Sequence, residues 1–588
     1  MPGDEVERGD VPAPGEVSEP GDVPEPGDAP APEPGDLPEF PAPPEDAPPH
    51  EPKPPAQVVE ATLTFSVHGR FQLPDLTGAP TGVAHAVAGA PVTVRTTYVD
   101  SSDLRLARSG VSLVHSAGAG RTGRGGRVGR AGCGGRAEPA GRGAGERASP
   151  GGWALTLPAF PDPGHPDVLS APGGVSAVPA ALRDLVTSWL RDAPLEAVAT
   201  LRTARAGVTL LAGSGETVAE LCDETVSVLD GRHVLARFRE LHLRSTNLTP
   251  AGLDEIARRL DEAGGVEGEF LPRLVRALGT RVLAPADVPK PSLVGTGDPA
   301  GAAVQAAVRR SARRLQHADS AVRRRLPDGV HQMRVACRRL RSDLRTFGPL
   351  LDRRWADGLR TELAWLAESL GAARDIEVLR ERFRQDADAG AVYDPLPLDA
   401  DALARIDDLL AAREVTALRA ADLALRSPRY LALLDALVRA AREPQLSPAA
   451  AEPCSQALPP LVTAAWGRLG RHARRLRPDG ADESWHAARI VAKRARYAAE
   501  AVAPVLGRRA RRMAGVATSV QEVLGEHQDA AIAAQTVHDL ARAHPRDAAL
   551  AMVAGRLVER ERGRVAASRA AFPRLWREAA RAGGAWRR

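Results

Sequence analysis

Two stretches of this sequence set basic side chains at intervals that would grip an anion. Val330-His331-Gln332-Met333-Arg334-Val335-Ala336-Cys337-Arg338-Arg339-Leu340-Arg341 aligns without a gap on Trp485-His486-Ala487-Ala488-Arg489-Ile490-Val491-Ala492-Lys493-Arg494-Ala495-Arg496. Helical offsets of 0, 3, 7 and 10 share a face, so His331, Arg334, Arg338 and Arg341 form one stripe, which Arg345 extends and Arg339 widens. His486, Arg489, Lys493 and Arg496 form a second, with Arg494 at its side. From His331 to Arg345 the stripe runs roughly 20 Å at the standard helical rise. Like charges so spaced repel one another, and an anion lying along them removes that cost. Arginine forks match phosphate oxygens, and a histidine in the first helical turn meets free N–H groups and a favourable dipole. The plainer reading pairs these arginines with Asp375, Asp529 and Glu500 of neighbouring helices and leaves each histidine as a satisfied core residue. Recurrence of the whole pattern in register favours a ligand, since compositional bias supplies arginines but not their phase.

The elements around the stripes repeat as well. Leu370-Gly371-Ala372-Ala373-Arg374-Asp375 is answered by Leu524-Gly525-Glu526-His527-Gln528-Asp529, and Pro327-Asp328-Gly329 by Pro478-Asp479-Gly480. Asp375 and Asp529 follow glycine near helix ends, which suits a capping or arginine-orienting role. From about residue 298 to the end, apolar residues recur at three- and four-residue spacing, so 298–588 is expected as an all-α domain of two paired four-helix units.

The preceding residues read differently. Short β-type runs occur at 62–67, 92–99, 111–115, 153–157, 198–202, 217–221, 226–229 and 238–243, with one helix expected over 179–190. They suggest an antiparallel barrel over 58–265. A Gly/Arg-rich stretch at 117–152 reads as a flexible loop insertion, and 266–297 as helix (253–260 and 270–278 are the helical runs) followed by a Pro/Gly linker. Residues 1–57 are acidic, proline-rich and nearly free of aromatics, as expected of a disordered tail.

With 588 residues and 43% hydrophobic content the chain is long enough for several domains, and its net charge of +4 hides an acidic start and an arginine-rich remainder. The dispersed Cys133, Cys222, Cys337 and Cys454 form no metal or redox motif. No apolar run has the length of a membrane span, and the acidic start is unlike a secretory signal. A cytoplasmic location without a membrane partner is expected.

The two His-x2-Arg-x3-basic-x2-Arg helices and the Leu-Gly-x3-Asp phrases resemble the CHAD family over about 298–588. That resemblance implies paired four-helix bundles whose basic groove binds inorganic polyphosphate, often on polyphosphate granules. It also carries the family's motif positions onto His331, Arg334, Arg338, Arg341, His486, Arg489, Lys493 and Arg496. The preceding segment resembles the CYTH family, an antiparallel triphosphate tunnel, through Phe65, Phe71-Gln72-Leu73-Pro74-Asp75-Leu76, Tyr98-Val99-Asp100, Gly152-Trp153-Ala154-Leu155 and Phe238-Arg239-Glu240. Where active members carry Glu-x-Glu-x-Lys, this chain has Glu60, Thr62 and Thr64. Val114, His115, Ser116 and Thr156 stand where basic clamp residues are expected, and His242 and Arg244 where a late acidic strand is expected.

Binding of polyphosphate by a CHAD-like domain, with a catalytically degenerate tunnel and no required cofactor, is therefore the leading expectation. A metal-dependent triphosphatase is the alternative, using Mg or Mn with Glu60, Glu220, Asp223, Glu224 and Glu240 as remaining carboxylates. A nucleic-acid partner is disfavoured because the basic segments lack interleaved aromatic platforms. A scaffold for some other partner completes the alternatives.

Overall fold

The computed structural model describes residues 59–117, 151–159, 165–268, 271–393 and 398–587. The expected acidic tail, and the Gly/Arg loop apart from its edges, lie outside these residues. The N-terminal half is an antiparallel sheet and the C-terminal half is mostly helical.

The sheet comprises β1 (Val59–Val67), β2 (His85–Ala88), β3 (Val92–Asp100), β4 (Ser112–Ala117), β5 (Gly152–Leu157), β6 (Asp167–Pro172), β7 (Glu196–Leu211), β8 (Thr217–Asp230), β9 (His233–Leu248) and β10 (Val266–Glu267). Among the described residues the order is β10-β1-β9-β8-β7-β3-β4-β5-β6, with β2 on β7, and the two ends of this path do not pair. Alternation divides the sheet's side chains. Phe65, Leu221, Leu241 and Leu243 face one way, onto Ile256 and Leu260 of α4 (Pro250–Glu262). Glu220, Glu224, Glu240 and His242 face the other. Farther along, that second face turns apolar at Tyr98, Val114, Ala154, Leu201, Val226 and Val228.

The expected strands at 217–221 and 226–229 are one continuous strand, because the polar residues between them pair across to β9, Asp223 with Arg239 at 2.5 Å among them. Strands β2, β6 and β10 have too few apolar residues in alternation to be read from sequence. The helix expected over 179–190 is broken at Val186 into α2 (Ala180–Leu185) and α3 (Thr187–Leu190); a further short helix, α1 (Arg105–Arg108), follows β3.

Residues 266–297, expected as helix and linker, begin with β10 and continue into α5 (Arg273–Leu278). Leu274, Ala277 and Leu278 of α5 pack on the apolar patch of the sheet's second face. The segment after it is docked rather than loose. Asp287 is 4% exposed, ion-paired to Arg191 of the sheet half and hydrogen-bonded by Arg442 of the helical half. Two further ties join the halves: Ser188 Oγ donates to the Gln316 carbonyl at 2.9 Å while Gln316 Nε2 donates to the Ser188 carbonyl at 3.2 Å, and Arg323 reaches Asp184 at 2.7 Å.

The helical half contains α6 (Ala300–Arg323), α7 (Gly329–Thr346), α8 (Arg353–Ser369), α9 (Gly371–Tyr393), α10 (Ala400–Leu425), α11 (Pro428–Arg442), α12 (Cys454–Ala473), α13 (Asp482–Leu506), α14 (Arg508–Ala543) and α15 (Ala548–Arg587). The two motif helices, α7 and α13, pack against each other near its centre. Met333, Ala336, Leu340 and Leu344 of α7 and Ala488, Ala492, Ala495 and Ala499 of α13 turn into one apolar core. Their small size on α13 lets the helices approach while their charged faces stay outward. Gly329 begins α7 where a Cβ would lie 2.9 Å from the Ala321 backbone, so the turn out of α6 closes only on glycine.

Candidate anion-binding site

Where α7 and α13 meet they form a groove of about 780 Å³. His331, Val335, Arg338 and Arg339 line it from α7, and Arg489, Lys493, Arg496 and Tyr497 from α13. Arg314 of α6 and the carboxylates Glu500, Glu522, Glu526 and Asp529 complete the charged lining. Five arginines and Lys493 thus face four carboxylates, and the histidine can add to the excess.

The carboxylates are not evenly shared. Arg334, beside the groove, reaches Asp375 at 2.8 Å and the Gly371 carbonyl at 2.9 Å; Arg489 reaches Asp529 at 2.6 Å. Glu500 accepts from Arg496 at 2.6 Å and also from Arg339, which bridges the two motif helices. The salt-bridge reading therefore describes Arg334, Arg339, Arg489 and Arg496. It does not describe Arg338, Lys493, His331 or Arg314, which have neither an ion pair nor a hydrogen bond among the described residues.

Electrostatics follow from that imbalance. Burial, then Arg489 and Arg338, pull the Lys493 ammonium down to about 8, against the opposing pull of Asp529. Burial, Arg374 and Arg338 lower the His331 imidazole in the same way. Both groups lie where positive charge is in excess, and an entering anion would favour their charged forms.

Tyr497 was not visible as a site residue. The guanidinium carbons of Arg338, Arg339 and Arg496 stand 5.8, 5.8 and 5.9 Å from its ring centre, so one aromatic face spaces three cations. Its one-turn offset from Lys493 was the available signal. Arg314 and Gln521 also escaped notice, since they come from helices outside the repeated motif.

The structure does not gather every residue of the sequence stripes. Arg341 and Arg345 lie beyond the groove lining on α7, and Arg494 points from another side of α13, 100° round from Lys493 by helical geometry. His486 is exposed, bonded to Gln528 Oε1 at 2.8 Å, and absent from the lining. His331 does sit in the first turn of α7, as expected. His486 does not: α13 begins at Asp482, so Asp482 and Glu483 occupy its first turn and would repel an anion there.

The expected carboxylate candidates of the sheet are placed as follows. Glu220, Glu224 and Glu240 share the second face with His242; Asp223 is on the opposite face, held by Arg239; Glu60 is exposed on β1. Glu224 is bound by Arg205 and by Arg273 of α5, Glu240 by Arg273 and Arg276, and Glu220 by Arg244 at 2.6 Å. Burial works to raise the Glu224 carboxyl, but Arg273, Arg205 and His242 outweigh it and hold it below the ordinary range. Ser116 and Thr156, where basic clamp residues were expected, are buried with hydroxyls that have no partner among the described residues. These residues do not fit a divalent metal, because each central carboxylate already neutralises an arginine.

A CHAD domain model matches residues 306–538, which include both motif helices and the whole groove. The uncharacterized protein Rv2226 of Mycobacterium tuberculosis is 34% identical over 409 residues, covering 65% of this chain and 75% of that protein. The chain belongs to the CHAD-domain family. Among solved structures, PptA from Streptomyces chartreusis is 29% identical over 48% of this chain and 100% of its own, with a TM-score of 0.41. The CHAD domain from the plant Ricinus communis is 26% identical over 49% and 97%, with a TM-score of 0.38. A putative adenylate cyclase from Bacillus halodurans is 15% identical over 32% of this chain and 82% of its own, with a TM-score of 0.19. Among the described residues no helix of this CHAD protein is long and apolar enough to cross a membrane.

Proposed function

We propose that the α7–α13 groove binds inorganic polyphosphate and that the sheet half serves as a non-catalytic scaffold. The observation that carries the reading is the set of Arg338 and His331 from α7, Lys493 from α13 and Arg314 from α6, which line the groove without carboxylate partners among the described residues, beside arginines that carboxylates already hold in place. A linear polyanion supplies many charges with little bulk, which suits a narrow strip of unmatched cations. The oriented forks of Arg334 and Arg489 would add directional contacts at its edges. The order α6, α7, α8–α9, α10–α11 against α12, α13, α14, α15 supports the reading of two paired helical units.

Commitment of Glu220, Glu224 and Glu240 to Arg205, Arg244, Arg273 and Arg276 disfavours the triphosphatase alternative, because the carboxylates that would hold a metal and the cations that would clamp a triphosphate already neutralise one another. A CYTH-like origin for the sheet rests on the sequence phrases and on its antiparallel topology. Placement on polyphosphate granules in the cytoplasm belongs to the same proposal. The test is a titration of the full chain with long-chain polyphosphate in the presence of DNA, RNA or ATP as competitor, repeated at several salt concentrations. Polyphosphate should win, with affinity falling steeply as salt rises. Equal retention of DNA would overturn the assignment.

A further inference from the structure

The second motif helix is held at its start by a histidine that the first motif copy lacks. His527 of α14 is 1% exposed and lies flat on Trp485 of α13, with ring centres 5.0 Å apart and planes 14° from parallel. In the repeated phrases Ala373 stands where His527 stands and Val330 where Trp485 stands, so this contact belongs to the second unit. Arg569 of α15 ties it to its surroundings. Its Nε–H donates to His527 Nε2 at 3.0 Å, one Nη donates to the Pro478 carbonyl at 2.9 Å, and the other is bonded to Asp482 in the first turn of α13. The guanidinium carbon also stands 5.4 Å from the Trp485 ring centre. The next residues of α14 hold site residues of α13: Gln528 Oε1 is bonded to His486 Nδ1 at 2.8 Å, and Asp529 accepts from the groove-lining Arg489 at 2.6 Å.

These contacts fix where the imidazole proton sits. Because Nε2 accepts from Arg569, the neutral ring carries its hydrogen on Nδ1, which is buried without a partner among the described residues. A proton arriving at Nε2 would abolish that acceptor and set a second cation against Arg569. The protonated nitrogen has another partner within reach, since Asp482 Oδ1 lies 3.5 Å from Nε2. Acid would thus exchange the Arg569–His527 bond for a His527–Asp482 ion pair, and Arg569 would lose both of those holds on α13 and α14. The charges facing the ring are Arg569 from α15 and Asp482 and Arg489 from α13. Burial, then Arg569, holds the imidazole below its ordinary 6.5, with Asp482 opposing and Arg489 adding to the shift. Arg489 follows Trp485 by one helical turn, so a start of α13 that loosens from α14 carries a groove arginine with it.

We propose that His527 and Arg569 are positioning residues for the α13 wall of the groove, and that a proton on His527 Nε2 releases that wall. This rests on the groove reading and adds its regulation: acid loosens the hold on polyphosphate through a bond outside the groove. His331 gains its proton in the same direction of pH and strengthens binding, but it does so equally in proteins that differ only at residue 527. The ratio between such proteins isolates the contribution of His527.

The test is a titration of full-length wild type, His527→Gln and Arg569→Ala with long-chain polyphosphate, from pH 8 to pH 5 at constant salt, with circular dichroism at each pH. A glutamine Oε1 can accept from Arg569 as Nε2 does, yet it takes up no proton. His527→Gln should bind within about twofold of wild type above pH 7 and about threefold or more tighter than wild type at pH 5. Arg569→Ala should bind about fivefold or more weaker than wild type at pH 7, and its deficit should shrink as acid releases the same arginine in the wild type. A ratio of wild type to His527→Gln that stays constant across the range overturns the proposal and leaves the groove reading standing, as does wild-type affinity in Arg569→Ala. Should Arg569→Ala fail to fold, His527→Gln decides alone, because it keeps the acceptor. A wild type that binds no polyphosphate at any pH overturns the groove reading and this proposal with it.

Discussion

Replacing Lys493 by methionine should make the unliganded protein more stable while weakening its hold on polyphosphate. The folded groove pulls this ammonium from an ordinary 10.5 to about 8, through burial first and then Arg489 and Arg338. At 1.36 kcal/mol per pKa unit, carrying the charge costs the folded state about 3 kcal/mol at neutral pH. Water entering an open groove reduces what is recovered, so a gain of about 1 to 3 kcal/mol is expected for Lys493→Met. The sign with pH follows from linkage. Because the folded pKa lies below the unfolded one, the unfolded chain retains a proton between about 8 and 10.5 that the folded chain has released. Wild-type stability therefore rises with pH across that window, and the variant lacks this rise. Urea midpoints of both proteins without anion, at pH 7 and above pH 10.5, provide the assay. The variant should lead at pH 7 and lose its lead above 10.5. With saturating polyphosphate at pH 7 the order should reverse, since ligand binding stabilises the wild type more. A variant less stable than wild type by the same amount at both pH values would refute the reasoning, and would make Lys493 a packing residue.

Other consequences are simpler to state. Arg338→Ala should weaken polyphosphate binding by about 1.5 to 3 kcal/mol in titration, since it removes a charge-assisted contact without freeing a carboxylate. Arg273→Ala should destabilise the protein by about 3 to 5 kcal/mol in denaturant unfolding, because it strips a partner from the buried Glu224 and Glu240. Burial and Arg313 pull the His317 imidazole down to about 4. That stability is full above pH 6.5 and is lost as pH falls toward 4, by up to about 3 kcal/mol. His317 meets the edge of Trp189 across the two halves, and His317→Gln should flatten the slope of unfolding midpoint against pH in that window. Glu240→Ala should leave turnover of tripolyphosphate with Mg or Mn at background in a phosphate-release assay, as in the wild type.

The repeated motif made α7 and α13 legible because a helical face depends only on spacing, and its apolar complement, Met333 to Leu344 and Ala488 to Ala499, shares that period. What spacing could not reveal was the pairing of each charge. Arg334 and Arg338 are alike in the stripe, yet Asp375 from another helix pairs with one and no carboxylate among the described residues pairs with the other. Arg345 and Arg494 extend the stripes by spacing alone, yet neither lines the groove, because a helical stripe says nothing of where the neighbouring helices close over it. In the sheet, the apolar alternation of β1 and β5 was readable. Strands β8 and β9 ran past their expected ends because Arg239–Asp223 and Arg244–Glu220 pairs let charged residues occupy strand interiors. The docking of α5 depended on contacts between residues far apart in sequence, which no local pattern encodes.

The most direct test of the central claim is the affinity of the full-length protein for long-chain polyphosphate, measured for wild type and for Arg338→Ala with Lys493→Met at one salt concentration and with unchanged circular dichroism. The account predicts a loss of about a hundredfold or more, from two charge-assisted contacts. Wild-type affinity in a folded double variant would contradict it.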